Sequence, residues 1–285
     1  NQYVIKIKGI EVAQGELFLD SYLAMDPGYV EKPVSGVRTT EPAFGLPALW
    51  ITTTQKEQAE LAGYTVVDTL SVLATHLTEI IHAHAFELIN RQEASRLVDT
   101  AKEYASAVIE ELIPGQMTLG QVLKVLQNLL RERVSVRDFV TVLETLADHS
   151  IDSKDTDILT EYVRQGLSRA VTKQYSSEEA VLHAMTLDSR VEQMVMESLQ
   201  SNEYGSRIVL RPATIQKIVD QVSTHLDSSL EEGLQLVLLT SPQIRMHFKR
   251  LIERSFPRLP VLSFNEISSD VTIESKGVVT SEVLM

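Results

Sequence analysis

The chain has 285 residues, 44% of them hydrophobic and 23% charged, with a formal net charge of −13 and no cysteine. Such a length and composition describe a globular protein of about two domains with room for a sizeable core. The acidic excess is spread along the chain, −6 over 1–90, −3 over 91–170 and −4 over 171–285. This excludes a basic nucleic-acid or anionic-membrane surface, and the lack of cysteine excludes disulfides, thiolate chemistry and Cys-type zinc sites and fits a reducing compartment.

No run approaches the roughly 18 apolar residues of a membrane span, and no signal peptide opens the chain. It begins on Asn1, directly before Tyr3-Val-Ile-Lys-Ile-Lys8, which alternates like a half-buried strand. The chain therefore reads as part of something longer. After Gly9 a second extended stretch covers Glu11 to Phe18, and a Pro/Gly-punctuated region runs from Asp26 to Pro47. Residues 39–50, TTEPAFGLPALW, hold the chain's single Trp. Pro42 and Pro47 forbid a regular helix here, so Phe44 and Trp50 are predicted on a stiff, irregular connector. Such a segment either buries its aromatics or presents one to a partner; Trp50 is the core candidate.

Thr54 to Ala62 reads as a short helix stopped by Gly63, Tyr64 to Val67 as a strand, and Asp68 as the cap of a helix running to about Asn90. At about 100° per residue, Leu73, Leu77, Ile80, Ile81, His84 and Leu88 share one arc, the expected core face. Val72, Thr75, Glu79 and Phe86 form a second stripe roughly opposite. That stripe either packs against a neighbouring subdomain or lines a groove walled by the connector bearing Phe44.

Residues 91–170 are helical. Thr118-Leu-Gly-Gln121 is a capping box ahead of Val122, Leu123, Leu126 and Leu130; Ser135 is the expected start of the next helix, and a third runs from about Asp155 to Ala170. The last third alternates strand and helix. Val181 to Leu187 is a strand, Ser189-Arg-Val-Glu192 a capping box, Pro212 a helix start, Leu234 to Leu239 a strand, and Ser241-Pro242 another helix start. Val261 and Val271 to Ile273 lie on closing strands, and the tail after Gly277 is not assigned. Alternation of this kind implies a compact α/β unit.

The chemistry-bearing motifs are missing: no Gly-x-Gly-x-x-Gly, no phosphate-binding Gly-Lys-Ser/Thr loop, no Gly-x-Ser-x-Gly elbow. His82 and His84 point about 200° apart on a helix and cannot face one ion. His76 and Glu79 lack the second His of a zinc helix. Asp152, Asp155 and Asp157 lack calcium-loop spacing. The cationic segment Arg245 to Arg258 is expected as a solvated helix face, with Met246, Phe248, Leu251 and Ile252 turned to the core. No catalytic residue, cofactor or metal is expected. An α/β enzyme binding a small anion at the Ser241-Pro242 helix start is the reading from another class.

Several long motifs together resemble the FHIPEP family, the export gates of type III secretion. They are Glu41-Pro-Ala-Phe-Gly-Leu-Pro-Ala-Leu-Trp50, Gly63-Tyr-Thr-Val-Val-Asp68, Ala74-Thr-His-Leu-Thr-Glu79, Leu143-Glu-Thr-Leu-Ala-Asp148, Leu159-Thr-Glu-Tyr-Val-Arg-Gln165 and Pro260-Val-Leu-Ser-Phe-Asn-Glu266. The likeness runs from about Val4 to Val279, and Tyr22-Leu-Ala-Met-Asp-Pro-Gly28 is closer to the flagellar than to the virulence-injectisome branch. The resemblance implies a multi-subdomain α+β / α/β cytoplasmic domain: a split first α/β subdomain over 1–21 and 71–90, incomplete at its N-terminus; a small inserted one over 22–70; a helical third over 91–170; an α/β fourth over 171–280; and a tail over 281–285. It also implies an N-terminal membrane half beyond this sequence, a bacterial inner-membrane location with this part facing the cytoplasm, and a ring of nine copies. The implied partners are export chaperones carrying late flagellar substrates and other components of the export apparatus, including the ATPase complex, with a role in substrate-class switching. Carried over by motif, the chaperone-binding positions are Glu41, Phe44, Val67, Val72 and Thr75.

Overall fold

The computed structural model describes residues 1–28, 30, 32–202 and 205–281. The backbone forms two units, Asn1–Ile89 and Asn90–Met285. No helix among the described residues is long and apolar enough to cross a membrane.

In the first unit the alternating opening residues become an antiparallel hairpin, β1 (Gln2–Ile7) and β2 (Ile10–Glu16). Lys8 and Gly9 close it with φ of 51° and 83°, the two left-handed residues that a tight hairpin turn requires. A four-stranded antiparallel sheet follows, built from β3 (Ser21–Met25), β4 (Val37–Thr40), β5 (Pro47–Thr52) and β6 (Thr65–Asp68) in the order β4-β5-β3-β6. Period-2 alternation gives it two buried faces. Leu23, Ala48 and Trp50 point one way, and Ala24 and Ile51 the other, towards Val34 and Ala59 of α1 (Lys56–Leu61).

The stretch expected as an irregular connector is therefore a β-hairpin. Pro47 is tolerated because it is the first residue of its strand, and Trp50 is core, with its ring 5.5 Å from that of Phe18. Asp68 caps α2 (Thr69–Leu88), accepting from the Leu70 and Ser71 amides at 3.0 Å each. The core face expected for this helix needs correction. Its fully buried residues are Val72 and His76, whereas Leu77, Ile81 and Leu88 are exposed in this chain. Apolar residues lie on nearly every side of α2, so the periodicity cannot identify the face that the sheet takes.

The second unit begins with five helices: α3 (Arg91–Glu111), α4 (Leu119–Arg131), α5 (Phe139–His149), α6 (Thr156–Gly166) and α7 (Ser168–Tyr175). Val122, Leu126, Leu129, Leu143, Leu146, Leu159 and Val163 are fully buried between them. The Thr118–Gln121 capping box forms. Asp138, rather than Ser135, caps α5 by accepting from the Thr141 amide; Ser135 instead holds the Arg137 amide in a local turn. The helix expected to end at Ala170 breaks at Leu167 into α6 and α7.

A four-stranded parallel sheet completes the unit, in the order β11-β10-β7-β12: β7 (Val181–Leu187), β10 (Val237–Thr240), β11 (Val261–Ser263) and β12 (Thr272–Val279). A small hairpin, β8 (Leu199–Asn202) and β9 (Gly205–Ile208), and the helices α8 (Ser189–Glu197), α9 (Pro212–Glu231) and α10 (Arg245–Ile252) lie along the chain between them. Asp188, one residue before the expected Ser189, caps α8. Glu192, assigned to the same capping box, instead accepts from the Ser241 amide at 2.7 Å. Ser241 to Ile244 form a turn, and the helix begins at Arg245. β12 runs to Val279, through the start of the unassigned tail; residues 282–285 of the tail lie outside the described residues.

The Arg245–Arg258 segment departs most from expectation. Arg245 is fully buried rather than solvated. Its guanidinium donates to both carboxylate oxygens of Glu161, to Glu132 Oε2 and Oε1 at 2.6 and 3.0 Å, and to the Val261 carbonyl at 3.1 Å. Arg164, also buried, shares Glu132 and donates to Glu266 Oε2 at 2.6 Å through Nη2. Lys249, one helical turn from Arg245, donates to the carbonyls of Pro257 and Leu259. Three carboxylates thus face two guanidiniums and an ammonium where the helices meet the α/β layer.

Candidate functional site

The five candidate positions all lie in the first unit. Residues 41–46 form the tip between β4 and β5. The Glu41 amide donates to the Leu46 carbonyl at 2.8 Å, and the Gly45 amide donates back to the Glu41 carbonyl at 3.0 Å. Gly45 has φ 75°, a left-handed conformation that suits glycine. Pro42 has no N–H, so the next two amides of the tip belong to Ala43 and Phe44. Both are held by the Glu41 side chain: Oε1 accepts from Ala43 N at 2.9 Å and Oε2 from Phe44 N at 2.6 Å. Such hydrogen bonds to an ionised acceptor are short and strong.

Glu41 is only 4% exposed, whereas Phe44 is 50% exposed. A buried carboxylate therefore organises the turn, and the aromatic ring next to it projects outward, with Leu46 also half-exposed. Val67, on β6 opposite Leu23, is half-buried. Val72 is buried among Leu23, Ala48 and Trp50. Thr75, three residues on along α2, is exposed. Of the five, Phe44 and Thr75 offer side-chain surface to a partner, Val67 offers some, and Glu41 and Val72 offer almost none.

Sequence reading did not single out Tyr3 and His76 as a pair. The Tyr3 hydroxyl lies 2.6 Å from His76 Nδ1, with the rings edge to face at 5.7 Å between centroids. Burial raises the Tyr3 pKa, and the Glu41 charge raises it further. Burial lowers the His76 pKa, and Glu41 offsets part of that fall. Glu41 thus sits within electrostatic reach of His76, one turn from Val72. The signal that could have found the buried side of α2 is the four-residue spacing of Val72 and His76, the buried residues of that helix.

This placement separates structural from surface roles. Val72→Ala is expected to lower unfolding stability by about 1–3 kcal/mol, through lost burial and the cavity left behind. Thr75→Ala is expected to stay within about 0.5 kcal/mol of the parent, as exposed substitutions usually do. Urea unfolding of both variants checks the contrast.

Among the described residues no group of three or more His, Asp or Glu is arranged to hold a metal ion. His84 Nδ1 lies 2.8 Å from Glu87 instead, Asp155 caps α6, and Asp157 pairs with Arg250 at 2.7 Å.

The chain is 46% identical over 279 residues to the flagellar biosynthesis protein FlhA of Bacillus subtilis (strain 168), covering 98% of this chain and 41% of that relative. Among solved structures, nonameric EPEC SctV-C superposes with a TM-score of 0.78 at 28% identity, covering 95% of this chain and 81% of that one. The Chlamydia pneumoniae CdsV protein has a TM-score of 0.85 at 24% identity, over 98% and 80% of the two chains, and shares the fold. The profile of the FHIPEP family matches from residue 1 to residue 272, and the chain belongs to that family.

Proposed function

We propose that this chain is the docking and ring-forming part of a flagellar-type protein export gate, without enzymatic activity of its own. It would face the cytoplasm at the bacterial inner membrane and receive export chaperones with late flagellar substrates at the β4–β5 tip. Contacts with other export components, the ATPase complex among them, and a part in switching substrate class belong to the same reading. So does the four-part layout, with 1–21 and 71–90 forming one subdomain interrupted by 22–70, followed by 91–170 and 171–280. The support is family membership, the flagellar relative, of which this chain spans 41% of the length, and a nonameric neighbour of the same fold.

The observation that carries the docking role is the Phe44 ring, half-exposed on a turn whose backbone a buried carboxylate holds. A pre-formed aromatic anchor suits the centre of an interface, because little ordering cost remains to be met on binding. The test is calorimetric titration of a chaperone–filament-subunit complex into the chain and into its Phe44→Ala variant. Heat of binding with the parent and its loss with the variant is the expected result; equal binding by both removes Phe44 as the anchor. Sedimentation at rising concentration checks assembly separately. A closed ring gives a boundary that stops growing at one stoichiometry, whereas open-ended growth contradicts a ring.

A further inference from the structure

The two four-stranded sheets finish their edges differently. An edge strand presents outward N–H and C=O groups, which natural proteins usually cover or blunt. In the parallel sheet side chains cover them. On β11 the Val261 carbonyl accepts from Arg245 and Arg164, and the Ser263 amide donates to Glu266 at 3.1 Å. At the other edge His225 Nε2 lies 3.3 Å from the Val278 carbonyl of β12, and Gln221 accepts from the Thr280 amide just beyond it at 2.9 Å.

The antiparallel sheet leaves β4 open. Its register with β5 runs unbroken from Val37 opposite Trp50 to Thr40 opposite Pro47, and the bond from the Glu41 amide to the Leu46 carbonyl fixes its phase. Hydrogen-bonded and non-bonded pairs alternate in an antiparallel ladder. Val37 and Thr39 therefore bond to β5, whereas the amides and carbonyls of Arg38 and Thr40 point away from the sheet. Neither residue's main chain has another partner among the described residues. Both residues are exposed, and Val37 between the sheet and solvent is 56% exposed. Arg38 is the strand's one charge, and it contains no proline or bulge. The opposite edge, β6, is half-buried at Val66 and Val67 and ends on the cap of α2.

We propose that β4 adds a strand from a partner: an extended segment of the protein that docks at Phe44 pairs with the main chain of Arg38 and Thr40. The proposal rests on the docking role of the tip, which begins one residue beyond β4. Two donors and two acceptors, repeating every second residue at about 6.8 Å, match the period of an extended main chain. A helix has already used its own main-chain groups, so the occupant is a strand. Such bonds add affinity with little dependence on sequence and leave selectivity to side-chain contacts, here Phe44. A second copy of this chain fits less well, because β4 paired with β4 is an isologous contact, which closes on two copies rather than building the ring proposed above.

The test follows amide hydrogen exchange at Arg38 and Thr40 in the chain alone and with the chaperone–filament-subunit complex. Both amides are expected to exchange freely in the chain alone and to slow at least about tenfold in the complex. Thr40→Pro removes one outward N–H, a change that an edge strand tolerates. It is expected to weaken binding about three- to tenfold with melting unchanged. Thr40→Ala keeps the N–H and is expected to bind as the parent does. Phe44-dependent binding with unchanged exchange at Arg38 and Thr40 overturns strand addition and leaves the docking role standing; no binding by the parent chain overturns both. Equal weakening by Thr40→Ala and Thr40→Pro also overturns strand addition, since it locates the contact in the side chain. Exchange that slows in the chain alone at rising concentration assigns the edge to a second copy instead and overturns the proposal.

Discussion

Replacing Arg245 with alanine is expected to destabilise the second unit by about 3–5 kcal/mol, the usual cost of removing one partner from a buried ion pair. The guanidinium binds Glu161 and Glu132 and closes on the Val261 carbonyl. Its loss leaves two carboxylates facing a region that supplies only Arg164 and Lys249 in compensation. The cluster itself need not be a large net source of stability, because desolvating so many charges is costly. A combined variant, Arg245→Met with Glu132→Leu and Glu161→Leu, is therefore expected to regain most of the loss, since Arg164 keeps Glu266. Urea unfolding of the three proteins decides; an Arg245→Ala midpoint equal to that of the parent would show that the cluster does not hold the helices to the α/β layer.

The same cluster sets an acid limit. Burial alone would raise the Glu132 pKa, but Arg245 and Arg164 outweigh it and hold the carboxyl at about 2, against an ordinary value of 4.5. A depressed carboxylate pKa contributes stability that is complete above the unfolded value and is lost as the pH falls through the folded one. Between about pH 4.5 and 2 the unit should therefore lose about 3 kcal/mol from this group alone. In Glu132→Gln that component of the acid slope should disappear, and the starting stability should be lower.

Much of this architecture is legible from local signals. The opening strand alternation, Asp68 and Thr118 as caps, Pro212 as a helix start and the apolar run into β10 each depend on neighbours within a turn or a strand. The failures come where tertiary partners decide. Pro42 and Pro47 exclude a helix through 39–50 but do not forbid a hairpin with Pro at the first strand position. On α2 tertiary partners select Val72, packed on Leu23, Ala48 and Trp50, and His76, bonded to Tyr3, from a helix apolar on several sides. Arg245 and Lys249 share a face with Phe248 and Ile252, a pattern that reads as core interrupted by solvated cations. Only the fold brings Glu132, Glu161 and Glu266 to them across 113, 84 and 21 positions of sequence. At the candidate site the motif resemblance located the segment, but it could not show that Glu41 faces inward and Phe44 outward.

That inward carboxylate leads to the other large effect, at the β4–β5 tip. Phe44→Ala is expected to weaken chaperone-complex binding by about 2 kcal/mol or more, the scale of a central aromatic anchor. Its melting temperature should barely move, because half of the ring is already in water. Glu41→Gln should also weaken binding, through a different route. The amide keeps a single oxygen for two backbone donors now met by two, so the turn loosens and the ring is no longer pre-positioned. Some stability is lost with it, about 1–3 kcal/mol for a buried donor left without its acceptor. Glu41→Asp should recover much of both losses, because a short carboxylate caps amides two and three residues ahead in turns of this kind. The two routes are separated by a double-mutant cycle. If Glu41 acts through Phe44, adding Glu41→Gln to Phe44→Ala costs no further affinity; if it touches the partner directly, the two losses add. A carboxylate that is 4% exposed and already committed to two amides favours the first outcome, and additive losses would show that the turn opens when a partner binds.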